Sequence, residues 1–189
     1  NLQSNPLSSG SATCIQVDGN GNPVQGSGYS DGINGGVNVP LGYNVRCTLV
    51  NQTASLTLLK HVANDNGGSA EADDWKLTGT PAILAGLSAT TVDGSETPVA
   101  ESTFQVRPRH TYTLTESSVA GYQFQKLQQL VNGSWVDVVA SADPNGYPRQ
   151  NGQGNWMVQV AGLDTPVYRF VNDDVAPKLT LVKEVVNNN

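Results

Sequence analysis

The chain repeats itself. Leu56-Thr57-Leu58-Leu59-Lys60 recurs as Leu179-Thr180-Leu181-Val182-Lys183, 123 residues further on (60 to 183). The match continues, with His61–Asn66 set against Glu184–Asn189. A second pair lies just upstream: Cys47-Thr48-Leu49-Val50-Asn51 matches Tyr168-Arg169-Phe170-Val171-Asn172, 121 residues apart (51 to 172). Val37 and Val39 precede the first copy as Val158 and Val160 precede the second. Two matches at nearly one period argue for tandem modules of about 120 residues. The period divides the chain into three parts. Residues 1–54 read as the C-terminal half of a preceding module, 55–176 as one complete module, and 177–189 as the first strand of a following one. The linkers Gln52–Ala54 and Asp173–Pro177 are short, so stiff joints are expected between neighbours.

Each module reads as all-β. Leu56–Val62, Thr111–Glu116, Tyr122–Val131, Trp135–Ala140, Trp156–Ala161 and Val167–Val171 are rich in β-branched and aromatic residues. Clusters of Gly, Asn, Asp and Pro separate them, at Asp18–Pro23, Gly26–Gly36, Asn64–Gly68 and Asp143–Pro148. Asn132-Gly133 between Val131 and Trp135 is a hairpin signal, because both residues tolerate the positive φ of a type I′ turn. No amphipathic stretch of 3.6 period has useful length. Short strands with frequent turns point to a β-sandwich.

Strand alternation assigns faces. Leu56, Leu58, Lys60 and Val62 share one face of their strand; Tyr112, Leu114 and Glu116 share one face of theirs; Tyr168, Phe170 and Asn172 share a third. Three apolar faces thus each end in a polar residue. A buried lone charge costs several kcal/mol, so such residues are paired, neutralised or solvated. One reading puts them at strand ends in water, or as a Lys60–Glu116 ion pair. The sharper reading is an intramolecular isopeptide bond. An apolar site favours the neutral amine and the neutral carboxyl. Lys60 then attacks the side-chain amide carbon of Asn172, while Glu116 polarises the amide oxygen and moves protons to the departing ammonia. Proximity within a folded core supplies the effective molarity.

The order Lys, Glu, Asn on first, middle and last strands resembles the CnaB-like (SpaA-like, prealbumin-like) domains of bacterial surface adhesins and pilins. Tyr112-Thr113-Leu114-Thr115-Glu116 followed by Gly121-Tyr122 is similar to a strand pattern of that family. Leu56–Lys60 with Asn64–Gly68 and Asp74-Trp75-Lys76-Leu77-Thr78 resembles tandem repeats of actinobacterial surface proteins. The resemblance covers nearly all of 55–176 and, more weakly, both flanks. It implies tandem immunoglobulin-like (prealbumin/CnaB-like) β-sandwiches acting as stalks, with isopeptide bonds that resist force and proteases. It also implies an extracellular place on a bacterial cell surface, and partners that are neighbouring modules or other copies in a fibre. No enzyme activity beyond the self-catalysed bond, and no cofactor, is expected.

The N-terminal half-module departs from this pattern. It has Asn51 but no Lys or Glu partner of its own; it carries Cys14 and Cys47 instead. Two cysteines leave open two buried free thiols or a disulfide. Cys47 is expected to face inward with Leu49 and Asn51, and a Cys14–Cys47 disulfide is expected as the local staple. Residues 178–189 supply an opening strand, so Asn51 and Lys183 are candidates for cross-links with another copy or with segments outside this chain.

Composition excludes other classes. Ten Lys+Arg face sixteen Asp+Glu, a net charge of −6, which gives no electrostatic footprint for nucleic acid. Charged residues are only 14%, too few for a coiled coil or a charge-rich disordered tail. No apolar run approaches a membrane span, and Asn1–Asn5 reads as polar chain rather than a leader. Asp18-Gly19-Asn20-Gly21-Asn22 begins like a calcium loop, but Pro23 and Tyr29 stand where that loop needs Gly and Glu. No metal ligand set is assigned, and His61 and His110 lie far apart. Asn51-Gln52-Thr53 and Asn132-Gly133-Ser134 fit the glycosylation sequon, which is frequent by chance in such a chain. Trp135, Tyr147 and Trp156 are candidates for a sugar-binding face, and Gly79–Ala100 for a recognition loop. A glycan- or host-protein-binding module is therefore the competing function.

Overall fold

The computed structural model describes residues 9–29, 39 and 41–186. Asn1–Asn5, Ser30–Gly36 of the glycine-rich cluster, Val37 and Asn187–Asn189 of the repeat lie outside the described residues.

The first three strands form a small antiparallel sheet: β1 (Ser9–Val17), β2 (Pro23–Tyr29) and β3 (Asn44–Gln52), in the order β2-β1-β3. The turn between β1 and β2 is built by Asp18. Its Oδ1 accepts the backbone N–H groups of Asn20 at 2.9 Å and Asn22 at 2.8 Å, and Gly21 supplies a φ of 85°. The backbone donor Asn22 and its side chain hold the Asp18 carboxyl below its usual range. The calcium-loop look-alike is thus a turn whose carboxylate already serves its own backbone. The Gly26–Gly36 cluster does not begin as a turn: β2 continues through it to Tyr29.

Ten strands follow as two five-stranded sheets. β4 (Ala54–Ala63), β7 (Thr103–Val106), β9 (Tyr122–Val131), β10 (Ser134–Asp137) and β13 (Val167–Asp174) make one, ordered β10-β9-β13-β4-β7. β5 (Lys76–Pro81), β6 (Thr90–Asp93), β8 (Thr111–Glu116), β11 (Arg149–Gln150) and β12 (Trp156–Gln159) make the other, ordered β11-β12-β8-β5-β6. The core lies between the sheets. Leu56, Leu58, Leu127, Tyr168 and Phe170 face Trp75, Leu77, Leu114, Trp156 and Val158 across it. All are buried.

The expected hairpin forms at Asn132-Gly133, with φ of 51° and 81° and Val131 opposite Ser134. The segment read as a long loop, Gly79–Ala100, is instead interrupted by structure. β5 runs to Pro81, and β6 occupies Thr90–Asp93. Gly and Pro in β5 weaken its strand signal. A Cβ at Gly79 would stand 2.8 Å from the Phe104 ring, so the ring would have to shift to admit one. Leu59 alternates with Leu58 and Lys60 and so points to the other face of β4, yet it too is fully buried. Its cross-strand partner is Arg169, whose guanidinium lies 4.1 Å over the Trp135 ring, so a long aliphatic stem flanks it.

The connectivity that matters most is the pairing of β4 with β13. The first and last strands of the sandwich lie side by side and parallel, with Phe170 opposite Lys60 and Asn172 opposite Val62. The turn after β4 is tied to the end of β13. Asp174 accepts the backbone N–H of Gly68 at 2.5 Å and of Asn66 at 3.0 Å. Burial opposes ionisation of Asp174, but these donors outweigh it and hold its carboxyl below the usual range. The Tyr122 hydroxyl donates to Asn64 Oδ1 at 2.5 Å and accepts the Ala70 N–H at 2.8 Å.

In the small sheet, Cys14 and Cys47 stand opposite each other and form a disulfide. Cys14 is buried but Cys47 is exposed, contrary to the inward orientation expected of it. Inward has meaning only against a second layer, and the sheet pairs with no other sheet among the described residues. The disulfide closes a separation of 33 residues, which constrains the unfolded chain by about 3–4 kcal/mol on the chain-entropy model. Unfolded without reductant, the protein should therefore show no reactive thiol. Reduction should selectively expose β1–β3 to proteolysis and leave β4–β13 resistant. Two titratable thiols before reduction would contradict the pairing.

Candidate functional site

Alternation along β4 turns Leu56, Leu58 and Lys60 into the sandwich, and all three are 0% exposed. Lys60 is a cation in the core, and two groups from the opposite side meet it. Glu116 ends β8 in the other sheet, and its Oε2 lies 2.5 Å from Lys60 Nζ. Trp75, just ahead of β5 and fully buried, presents its ring 4.3 Å from the same Nζ. Tyr122 meets the Trp75 ring edge-on at 5.3 Å. Burial is the dominant influence on Lys60 and lowers its pKa from 10.5 to about 8, against the opposing pull of Glu116.

Asn172 is the third member. It lies on β13, two residues beyond Phe170, the partner of Lys60. Parallel pairing puts Lys60 and Asn172 on the same face as diagonal neighbours, within reach of a long side chain. Asn172 is buried, and its Oδ1 has no hydrogen-bond partner. Leaving a buried carbonyl unpaired costs about 1–3 kcal/mol. Trp75 Nε1 is likewise buried without a partner. The core thus holds an amine and a carboxylate in contact, with an unpartnered amide oxygen on the adjoining strand. An ion pair that merely filled space would not need the third group.

Two further residues shape the site. Lys60 N–H donates to the Ser95 carbonyl at 2.9 Å, and Gly94 N–H donates to the Trp75 carbonyl at 2.9 Å. A Cβ at Gly94 would stand 2.0 Å from the Ala72 carbonyl oxygen and 3.0 Å from Lys60 Cβ. Only glycine lets the 94–95 segment pass over the site. Beside Glu116 lies a cavity of about 220 Å³ that Leu114, Phe124, Trp156 and Phe170 help to line. The Glu116 side chain is 13% exposed.

The sequence therefore identified Lys60, Glu116 and Asn172, and the structure places the first two in contact with the third on the adjoining strand. It missed Trp75 as a site residue and Gly94 altogether. Neither lies on a strand whose alternation reports its direction; Trp75 in the turn-rich Asp73-Asp74-Trp75 was the available signal. The remaining candidates stand apart. Asn51 sits on β3 opposite Gly10, and Lys183 lies in the 175–186 segment, which carries no strand. His61 bonds Glu96 at 2.9 Å, and His110 Nε2 bonds the Ala82 carbonyl at 2.9 Å. Trp156 is buried in the core, Trp135 lies under Arg169, and the Tyr147 hydroxyl pairs with Thr111 at 2.7 Å, so the three do not share one face. Asp65, Asp173 and Asp174 bring carboxylate oxygens within 4.8 Å of one another; those of Asp174 already accept the N–H groups described above. Among the described residues, no helix is long and apolar enough to cross a membrane.

Two stacked five-stranded sheets, closed by a parallel pair of first and last strands, define a β-sandwich of the prealbumin type. Residues 51–147 match the family model described as a prealbumin-like fold domain, and the chain belongs to that family. The match contains Lys60 and Glu116 and stops short of Asn172. Among solved structures, a mutant of the major pilin from Streptococcus pyogenes is similar at 12% identity and a TM-score of 0.33, over 92% of this chain and 67% of that one. The pilus adhesin SpaC from Lactobacillus rhamnosus GG is similar at 14% identity and a TM-score of 0.34, over 92% of this chain. This chain spans about a quarter of that adhesin, 27%. The comparison with curated proteins gives no match.

Two outcomes follow from this geometry. Replacing Gly94 with Ala should destabilise the sandwich by about 1–3 kcal/mol, because the backbone over Lys60 must shift; an unchanged denaturation midpoint would contradict the packing. The second concerns pH. In Asn172→Ala, Lys60 stays free to titrate. Its folded pKa, about 8, lies below its ordinary 10.5, so between those values the unfolded chain binds more protons. Stability should be flat in this respect below pH 8 and rise from pH 8 towards 10, by up to about 1.4 kcal/mol per pH unit. Denaturation midpoints of Asn172→Ala and of the double variant Lys60→Met/Asn172→Ala should diverge over that window; parallel profiles would contradict it.

Proposed function

We propose that this chain is a structural segment of a bacterial cell-surface stalk, fibre or pilus-like adhesin. In this reading its central module is locked by a self-made isopeptide bond between Lys60 and Asn172. The observation that carries it is the buried Lys60 amine, 2.5 Å from Glu116, beside an adjoining strand that holds an unpartnered Asn172 carbonyl.

The chemistry balances within these three residues. A proton passes from Nζ to Oε2 along the short Lys60–Glu116 contact, leaving a neutral amine and a neutral acid. Lys60 Nζ attacks Asn172 Cγ, and the Glu116 acid donates to Oδ1 as negative charge develops there. Glu116 then relays a proton from the attacking nitrogen to Nδ2. The Cγ–Nδ2 bond breaks as the carbonyl re-forms and the Oδ1 proton returns to Glu116; the Nζ–Cγ bond remains, and ammonia leaves. The cavity beside Glu116 offers a route out. Trp75 and the 94–95 segment keep bulk water from the amine.

The mechanical consequence follows from topology. Tension between the start of β4 and the end of β13 would shear their parallel ladder. A covalent link from residue 60 to residue 172 transmits that tension directly and shields everything between. Enzymatic turnover is no part of this reading, since the bond forms once and consumes its own side chains. The repeat supports the modular arrangement, with 1–54 as the closing half of one module, 55–176 as a whole one, and 177–189 as the opening strand of another.

Glu116→Ala provides the test. Digestion of the wild type should yield a branched peptide joining Lys60 to Asn172, and digestion of the variant should yield the two linear peptides. The cross-link closes 112 residues (60 to 172), worth about 4–5 kcal/mol on the chain-entropy model, so the variant should also melt lower. A branched peptide persisting in Glu116→Ala would remove Glu116 from the reaction, and linear peptides from the wild type would overturn the reading.

A further inference from the structure

We infer that the indole N–H of Trp75 is a second donor to the Asn172 side-chain oxygen, and that with Glu116 it stabilises the negative charge that develops there when Lys60 attacks. The inference rests on the proposed Lys60–Asn172 bond and adds a catalytic residue to it.

Two polar atoms of this core are buried without a partner: Trp75 Nε1, a donor, and Asn172 Oδ1, an acceptor. Trp75 is 0% exposed and Asn172 is 3% exposed. A buried donor or acceptor left unpaired is costly, and native cores seldom keep one. The indole N–H can only donate, so nothing but an acceptor relieves it. A phenylalanine at position 75 would cover the Lys60 amine with a ring and orphan no donor.

Strand order brings the two atoms to one place. β13 lies between β4 and β9. Lys60 is the diagonal neighbour of Asn172 on the β4 side, since Phe170 is opposite Lys60. Tyr122 is the diagonal neighbour on the β9 side, since Asn172 is opposite Phe124 and Asp174 is opposite Tyr122. Tyr122 also packs against the core. Trp75 approaches from the other sheet and meets both of them, with its ring 4.3 Å from Lys60 Nζ and 5.3 Å from the Tyr122 ring. Strands on either side of a third lie about 10 Å apart. A ring that meets both flanking residues therefore spans β13, over the inward face that carries Asn172.

The donor is held in advance of the reaction. Trp75 N–H donates to the Ala72 carbonyl at 3.3 Å, and the Trp75 carbonyl accepts Gly94 N–H at 2.9 Å. The Tyr122 ring that braces the indole is itself anchored through its hydroxyl to Asn64 and Ala70. Before attack, Glu116 is engaged by the Lys60 amine, and Asn172 Oδ1 has no donor. As Nζ bonds to Cγ, the amide is drawn towards the amine and under the indole. Oδ1 then carries negative charge and has lone pairs for two donors. The Glu116 acid takes one and Trp75 Nε1–H takes the other. Trp75 gives up no proton; its hydrogen bond strengthens as the charge grows and persists to the finished isopeptide carbonyl. A fixed donor in a water-excluded site is where such a bond lowers a barrier most.

Whole chains made by cell-free translation, quenched in acid at intervals and weighed intact, report the rate of ammonia loss. Two replacements test the donor. Trp75→Phe keeps a ring and removes the N–H. The amino acid 3-benzothienylalanine at position 75 keeps the bicyclic shape and puts sulfur where the N–H was, so it decides the matter where the smaller ring leaves a void. Each should slow ammonia loss by about 10²–10³-fold, while amide hydrogen exchange shows the same folded sandwich. Nuclear magnetic resonance gives a second readout. The Trp75 indole proton should resonate downfield in the wild type relative to Asn172→Ala, which lacks its acceptor. A benzothienylalanine chain that reacts at the wild-type rate, or an indole resonance unmoved by Asn172→Ala, would overturn the inference and leave Trp75 a packing role. Either result would leave the Lys60–Asn172 bond standing. A wild type that loses no ammonia would overturn that bond, and the role of Trp75 with it.

Discussion

A lysine amine with no exposed surface, held 2.5 Å from a carboxylate of the opposite sheet, is the constraint on which the sandwich turns. Placing that charge in the core costs several kcal/mol unless it is paired. Pairing it fixes β4 and β8 across the sandwich at one point. Trp75 closes over the amine, Gly94 admits the segment that covers it, and Asp174 ties the turn after β4 to the end of β13. A well-packed apolar residue at position 60 would be as stable or more so. Stability alone therefore does not account for the polar set, which also includes the unpartnered Asn172 carbonyl on the adjoining strand.

Much of this was legible from alternation. Leu56–Lys60, Tyr112–Glu116 and Tyr168–Asn172 announce an inward face with a polar end, and β8 and β9 begin and end where the residue pattern puts them. Alternation says which face a side chain takes, so it found three groups on three strands. It says nothing of residues between strands, which is why it gave Trp75 and Gly94 no place in the site. It also fails where strands are short or broken by Gly and Pro, as at Gly79 and Pro81 of β5 and the four residues of β6. Cys47 shows a third limit: alternation gives two faces, but whether one is buried depends on a second layer that the small sheet lacks among the described residues.

The two sheets built on the repeated motif are fastened differently. In the small one, a disulfide joins Cys47 to its cross-strand partner on β1. In the large one, Tyr168 stands where Cys47 would and packs into the core, and the polar groups sit one strand over, between β13 and β4. The difference follows burial. A sheet with little apolar surface to bury gains most from constraining its unfolded chain, whereas a closed sandwich can exclude water well enough to depress a lysine pKa to about 8.

The mass of the intact, reduced and denatured chain tests the central claim most directly. Amide exchange between Lys60 and Asn172 expels one ammonia and leaves every other atom in place. The account predicts a wild-type mass lower than the sequence mass by one ammonia, and full sequence mass for Lys60→Ala, Glu116→Ala and Asn172→Ala. A wild-type chain at its full sequence mass would contradict it.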